Sequence, residues 1–202
     1  MPGKGWNIAR NFFPVPWLIP WKTGRYYSSP FLSSVVTSVL GTSIIYCSPI
    51  YVPNVEGVTV TSLGLEVVTA GAAGSLTRCA LYEYVENTLF GKRLIDSGSF
   101  LTDGTGHKFG TVSVYVPQGW YIYAACSNGG SLRNLSGTEV PAFVYGGAYP
   151  LQTASSGWAI RVTLSTAAVQ AVIDNGYPLY MPNTADVISL SSNTTSRVLL
   201  GV

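Results

Sequence analysis

The sequence predicts a mostly β fold, a jelly-roll-like antiparallel β-sandwich with an extended N-terminal arm and at most one short helix. Three observations predict it. Short apolar stretches with period-two alternation recur along the chain, Gly, Pro and Asn clusters punctuate them, and helical periodicity is almost absent. Such patterning suits two packed antiparallel sheets. It divides the chain into an arm, residues 1–30, and a sandwich domain, residues 31–202.

The arm comes first. Pro2, Pro14, Pro16, Pro20 and Pro30 rule out a continuous helix and hold the chain extended. Trp6, Phe12, Phe13, Trp17, Leu18, Ile19, Trp21, Tyr26 and Tyr27 make too much apolar surface to leave in water. The arm therefore either folds back over its own domain or docks on a neighbouring subunit. No acidic residue precedes Glu56, whereas Lys4, Arg10, Lys22 and Arg25 are basic. The candidate partner-binding residues are accordingly Trp6, Arg10, Phe12, Phe13, Trp17, Trp21, Lys22 and Arg25.

Strands follow. Ser43 to Cys47 and Ile50 to Val52 are strand-like, and Val58 and Val60 alternate with Thr59 and Thr61. Leu63, Leu65 and Val67 continue on the other phase, so a bulge or bend is expected near Ser62-Leu63. The small-residue turn Ala70 to Gly74 precedes a strand from Leu76 to Tyr84. Lys92 to Ser97 and Phe100-Leu101 lead into Asp103-Gly104-Thr105-Gly106, a hairpin signal. Val112, Val114 and Val116 alternate, Pro117-Gln118-Gly119 turns the chain, and Trp120, Ile122, Ala124 and Cys126 alternate again. Further strands are expected at Ala142 to Tyr145, Trp158 to Leu164, Asp186 to Leu190 and Arg197 to Leu200. One helix is expected from Thr166 to Ile173, capped by Ser165 and ended by Asn175-Gly176.

Charged residues are only 10% of the chain and hydrophobic ones 47%, against about a quarter charged in ordinary soluble domains. That leaves a membrane or a surface covered by partners. The best membrane candidate, Val35 to Val52, is broken by Thr37, Ser38, Gly41, Thr42, Ser43, Ser48 and Pro49, so no spanning helix is expected. The proline-rich start lacks the form of a signal peptide, and the product is expected to stay in the cytoplasm where it is made. Cys47, Cys79 and Cys126 lie in apolar runs without metal-ligand spacing and read as buried reduced thiols.

Chemistry has little to stand on. The only histidine is His107, beside a presumed turn, and no Gly-x-Ser-x-Gly elbow accompanies it. Gly71 to Ser75 lacks the lysine of a phosphate loop, and the carboxylates are scattered singly. The expectation is a non-enzyme with no catalytic residue, cofactor or metal. Four basic residues in the arm make too small a footprint for nucleic acid. A glycan remains open as a ligand, because Tyr115, Tyr121, Tyr123, Tyr145, Tyr149 and Trp158 include several that alternation aims outward.

The run Tyr51-Val52-Pro53, the stretch from Val58 to Val67 and Gly74-Ser75-Leu76-Thr77-Arg78-Cys79-Ala80-Leu81-Tyr82 form a pattern. Leu94-Ile95-Asp96-Ser97-Gly98 and Val116-Pro117-Gln118-Gly119-Trp120-Tyr121-Ile122-Tyr123-Ala124 continue it, flanked by Gly24-Arg25-Tyr26-Tyr27 and Arg197-Val198-Leu199-Leu200. This pattern, over residues 24–126, resembles a domain recurrent in virion proteins of tailed bacteriophages. The resemblance implies a jelly-roll-like sandwich of the kind in capsid decoration (cement) proteins and tail fibres. The Trp- and Pro-rich arm, with no fibre or coiled-coil stalk before the domain, favours a compact subunit clamped to a shell. The expected partners are the major capsid protein or other virion subunits and further copies of the chain, as a trimer. The alternative is a tail-fibre or tail-adaptor subunit whose sandwich binds a host-surface glycan.

Overall fold

The computed structural model describes residues 19–28, 34–85, 88–136, 159–181, 188–191, 194–197 and 199–202. In chain order the strands are β1 (Tyr26–Tyr27), β2 (Ser34–Val39), β3 (Ile44–Val52), β4 (Val58–Thr69), β5 (Leu76–Val85) and β6 (Leu89–Leu101). They continue with β7 (Gly106–Val116), β8 (Gly119–Ser127), β9 (Ser131–Ser136), β10 (Ala159–Thr163), β11 (Ile188–Ser191), β12 (Thr194–Ser196) and β13 (Leu199–Gly201). Between β10 and β11 lies the one helix among the described residues, α1 (Thr166–Asn175). The fold is mostly β, and every strand pairing is antiparallel.

Strands β2 to β9 are ordered β2-β9-β4-β7 in one sheet and β3-β8-β5-β6 in the other. This is the strand order of a jelly roll, in which nearly every connection crosses between sheets. Only β5 and β6 pair as sequence neighbours within these eight. The turn at Asp103–Gly106 is therefore not a paired hairpin, as its residues suggested, but a crossing from β6 in one sheet to β7 in the other. Turn chemistry fixes the reversal and leaves the pairing partner open. Gly110 on β7 lies where a side chain would collide with the Ser97 carbonyl of β6, so glycine permits this close crossing.

The remaining strands extend this frame. Strand β10 adds to β3, and β11 adds to β10. In the other sheet β4 gives one edge to β7 and divides the other edge. Ser62–Gly64 pairs with β13 and Val67–Thr69 with β9, while β12 pairs farther along β9. The C-terminal strands thus wedge into the fork between β4 and β9. The expected phase slip is present: β4 shifts register against β7 between Val60 and Ser62. Val58 and Val60 before it, and Leu63, Leu65 and Val67 after it, all face the core. Strand β3 runs unbroken through Pro49, because β10 stops at Cys47 and leaves an edge on that side where proline is tolerated.

Two apolar clusters result. The inter-sheet core contains Ile50, Val52, Leu63, Leu65, Cys79, Leu81, Ile95, Tyr121, Tyr123 and Leu132. A second cluster, on the outer face of the β3-β8-β5-β6 sheet, contains Ile45, Cys47, Ala80, Tyr82, Ile122, Ala124 and Cys126, covered by Val169, Val172, Ile173, Tyr177 and Met181. The helix begins as expected, with the Ser165 hydroxyl accepting from the Ala168 N–H at 3.1 Å. It ends at Gly176, whose φ of 109° favours glycine.

Candidate functional site

Of the candidate partner-binding residues, Trp6, Arg10, Phe12, Phe13 and Trp17 lie outside the described residues, and Trp21, Lys22 and Arg25 lie within them. Trp21 packs on its own domain. Its N–H donates to Asn54 Oδ1 at 2.7 Å, and Asn54 Nδ2 donates back to the Trp21 carbonyl at 3.0 Å. Its ring stacks on Tyr27 at 4.6 Å and 5°, against the inter-sheet core. The Tyr27 hydroxyl in turn accepts from the Lys22 N–H at 2.7 Å. Gly24 N–H donates to the Val202 carbonyl at 2.6 Å and Val202 N–H to the Arg25 carbonyl at 3.1 Å, so the arm's root is joined to the C-terminus. Pairing of β1 with β13 completes the join.

Lys22 and Arg25 differ from Trp21. Both are exposed, and neither forms an ion pair among the described residues. Ile19, where the described arm begins, is 67% exposed. The root is thus pinned by Trp21 and Tyr27 and, among the described residues, leaves two cations and an apolar side chain exposed.

Beside it, on the outer face of the same sheet, Tyr26 stacks on Phe109 at 4.9 Å, and the His107 ring lies 6.1 Å from that of Phe109. Glu66, opposite His107 in the β4–β7 register, is held by Arg133 at 3.3 Å and approached by Arg197 at 4.0 Å. These are cross-strand pairs of the kind that stabilise a solvated sheet face. His107 is an exposed strand residue in this ladder, next to the turn where the sequence placed it.

Of the aromatic residues expected to form an outward platform, the three described ones do not share a surface. Tyr115 is 60% exposed, its hydroxyl donating to the Glu56 carbonyl at 2.9 Å. Tyr121 and Tyr123 are buried between the sheets. Alternation along β8 does not fix which residues point outward, because both of its faces are apolar: one meets the opposite sheet and the other meets α1. Tyr145, Tyr149 and Trp158 lie outside the described residues, as does the strand expected at Ala142 to Tyr145.

The most elaborate polar cluster went unread. Asp96 Oδ1 accepts from Arg78 Nε at 2.6 Å and from Gly98 N–H at 3.1 Å. Its Oδ2 accepts from Arg93 Nη1 and from Tyr177 N–H, each at 3.0 Å. Arg78 Nη1 also donates to the Ile173 carbonyl at 3.0 Å, Ser99 Oγ donates to the same carbonyl, and Arg93 donates to that of Tyr177. Burial alone raises the Asp96 pKa, but the hydrogen bonds from Arg78, Gly98 and Arg93 and the Arg78 charge outweigh it and hold the carboxyl below its ordinary value. In the sequence Asp96 has only Arg93, three residues before it, as a visible partner, whereas Arg78 and Tyr177 come from β5 and the segment after α1.

The three cysteines are buried and form no disulfide, and burial pushes all three thiols up, Cys126 to about 11. Among the described residues no group of three or more His, Cys, Asp or Glu is placed to hold a metal ion, and no helix is long and apolar enough to cross a membrane. No protein-family model matches the chain, and no curated protein matches it.

Proposed function

We propose that this chain is a non-enzymatic structural subunit of a tailed-phage particle, serving as a capsid decoration protein clamped to the shell through its N-terminal arm. The main support is the root of that arm. Its last residues are pinned to a jelly roll by Trp21 and Tyr27, while Lys22, Arg25 and Ile19 are exposed at the point of entry. The residues before Ile19 add Trp6, Phe12, Phe13 and Trp17 with Lys4 and Arg10, and no acid. Seating Trp6 and Trp17 on a partner contributes about 2 kcal/mol each. The cations steer the arm to an acidic surface, and the prolines reduce the entropy lost on docking. Repetition over symmetry-related sites, with copies packed as trimers, turns modest contacts into firm attachment. The low charge of the chain agrees with a surface largely covered by partners, and jelly rolls are common in viral shells. The tail-fibre and host-glycan alternative draws less support, because Tyr121 and Tyr123 belong to the core.

Re-addition to purified particles of the encoding phage tests the proposal. The full-length chain should co-sediment with particles that lack it. A chain without residues 1–18 should keep its melting temperature and stay in the supernatant. Full decoration by the truncated chain, or none by the intact one, overturns the proposal.

A further inference from the structure

Residues 164–181 begin where the chain leaves β10, at one edge of its sheet. Strands β10 and β11 are antiparallel neighbours there, with Val162 opposite Ile188. Between them the chain crosses the outer face of the sheet to its far edge. Leu164 N–H donates to the Ser43 carbonyl beside β3 at 2.8 Å, and Gln170 Oε1 accepts from Asn128 Nδ2 after β8 at 3.0 Å. The Tyr177 hydroxyl donates to the Arg78 carbonyl on β5 at 3.2 Å. On β6, Arg93 N–H donates to the Leu179 carbonyl at 2.8 Å, and Lys92 bridges Tyr180. Near this far edge the Asp96 cluster collects most of the polar fastenings.

We infer that residues 164–181 form a strap that opens as a unit from an otherwise intact jelly roll, with Asp96 as its catch. Lifting the strap breaks none of the pairings among β2 to β9, since none of its residues belongs to those strands, and the one bridge it loses is Tyr180 to Lys92. Its apolar cluster is separated from the inter-sheet core by the sheet itself, so the first can be lost while the second stays closed. One carboxylate holds both arginines that grip the strap's carbonyls. The charged and titratable groups around it are Arg78, Cys79 and Tyr82 on β5, Arg93 on β6, Cys126 on β8 and Tyr177, with Asp174 exposed and bonded to Gln170.

The three cysteines report on the two events separately. Cys47 and Cys126 lie under the strap, Cys79 lies between the sheets, and all are fully buried. The full chain in moderate urea is labelled with a dithiodipyridine and the modified peptides are followed by mass spectrometry. Cys47 and Cys126 should react about tenfold faster than Cys79 or more, and Asp96→Asn should accelerate both further. One common rate for all three thiols in the wild-type chain overturns the strap. Unchanged Cys47 and Cys126 rates in Asp96→Asn overturn the catch. Should that variant fail to fold, Ser99→Ala, which removes the Ser99 bonds to the Ile173 carbonyl and from Arg78 Nη1, replaces it under the same criteria.

Discussion

One face of the β3-β8-β5-β6 sheet meets a second sheet and the other meets a strap, and the two contacts are built differently. Between the sheets, large side chains such as Ile50, Leu81, Ile95 and Tyr123 interlock with Leu63, Leu65 and Leu132, and the cluster contains no charged residue. Under the strap, Cys47, Ala80, Ala124 and Cys126 supply a floor of small side chains that lets a helix lie close, and a charged cluster closes the edge. The first contact joins strands from most of the chain, whereas the second joins one local excursion to a finished sheet. Removing the first removes the support of the second, but the reverse does not hold. Stability is therefore expected to come in two tiers.

Leu81→Ala should have the largest effect. Leu81 is fully buried in the inter-sheet core, so truncation costs about 2–5 kcal/mol of global stability, read from the urea midpoint. It weakens the closed chain and the strap-open chain equally, because both keep the sandwich. Cys79 labelling should rise about thirtyfold or more, while Cys47 and Cys126 keep their rates as long as they react through strap opening. Equal acceleration of all three would merge the tiers into one.

Acid should act on the other tier. The Asp96 carboxyl is held below its ordinary value in the folded chain, so its contribution is fully present above about pH 3.9 and is lost as pH falls through the folded value. When Asp96 takes up a proton, Arg78 and Arg93 lose the carboxylate that lies between them. Circular dichroism during acid titration should lose the helical signal before the β signal. Asp96→Asn should abolish that early step, and persistence of the step in the variant would assign it to another group.

How much of this was legible in the sequence follows from the same division. The inter-sheet core rests on period-two alternation, so β4, β5 and β7, the slip at Ser62 and the capping Ser165 could be read directly. Strand β8 misled because Tyr-Ile-Tyr-Ala-Ala-Cys is apolar on both faces, a pattern that marks two-sided burial and cannot say which face meets which neighbour. Strand β1 went unread because two residues carry no period, and its pairing with β13 is set by a partner far along the chain. At the arm's root, the sequence offers Trp21 and Tyr27 as apolar residues in need of cover but not Asn54, whose carboxamide fixes Trp21. It missed the Asp96 cluster for the same reason, since Arg78 and Tyr177 meet it only in the folded chain.

The smallest expected effect is also the one that most sharpens the order of events. Ser165 sits where the strap leaves β10, and its hydroxyl satisfies one of the N–H groups at the start of α1. Ser165→Ala leaves that donor to water and costs about 1 kcal/mol. If the helix is unformed in both the strap-open and the unfolded chain, the closed state alone loses this energy. All three thiols should then label faster by one common factor of about five, keeping the ratio between Cys79 and the other two unchanged. This is the mirror of Leu81→Ala, which changes the ratio by moving Cys79 alone. Acceleration of Cys47 and Cys126 without Cys79 would mean that the helix survives unfolding of the sandwich, and the two tiers would then be independent rather than nested.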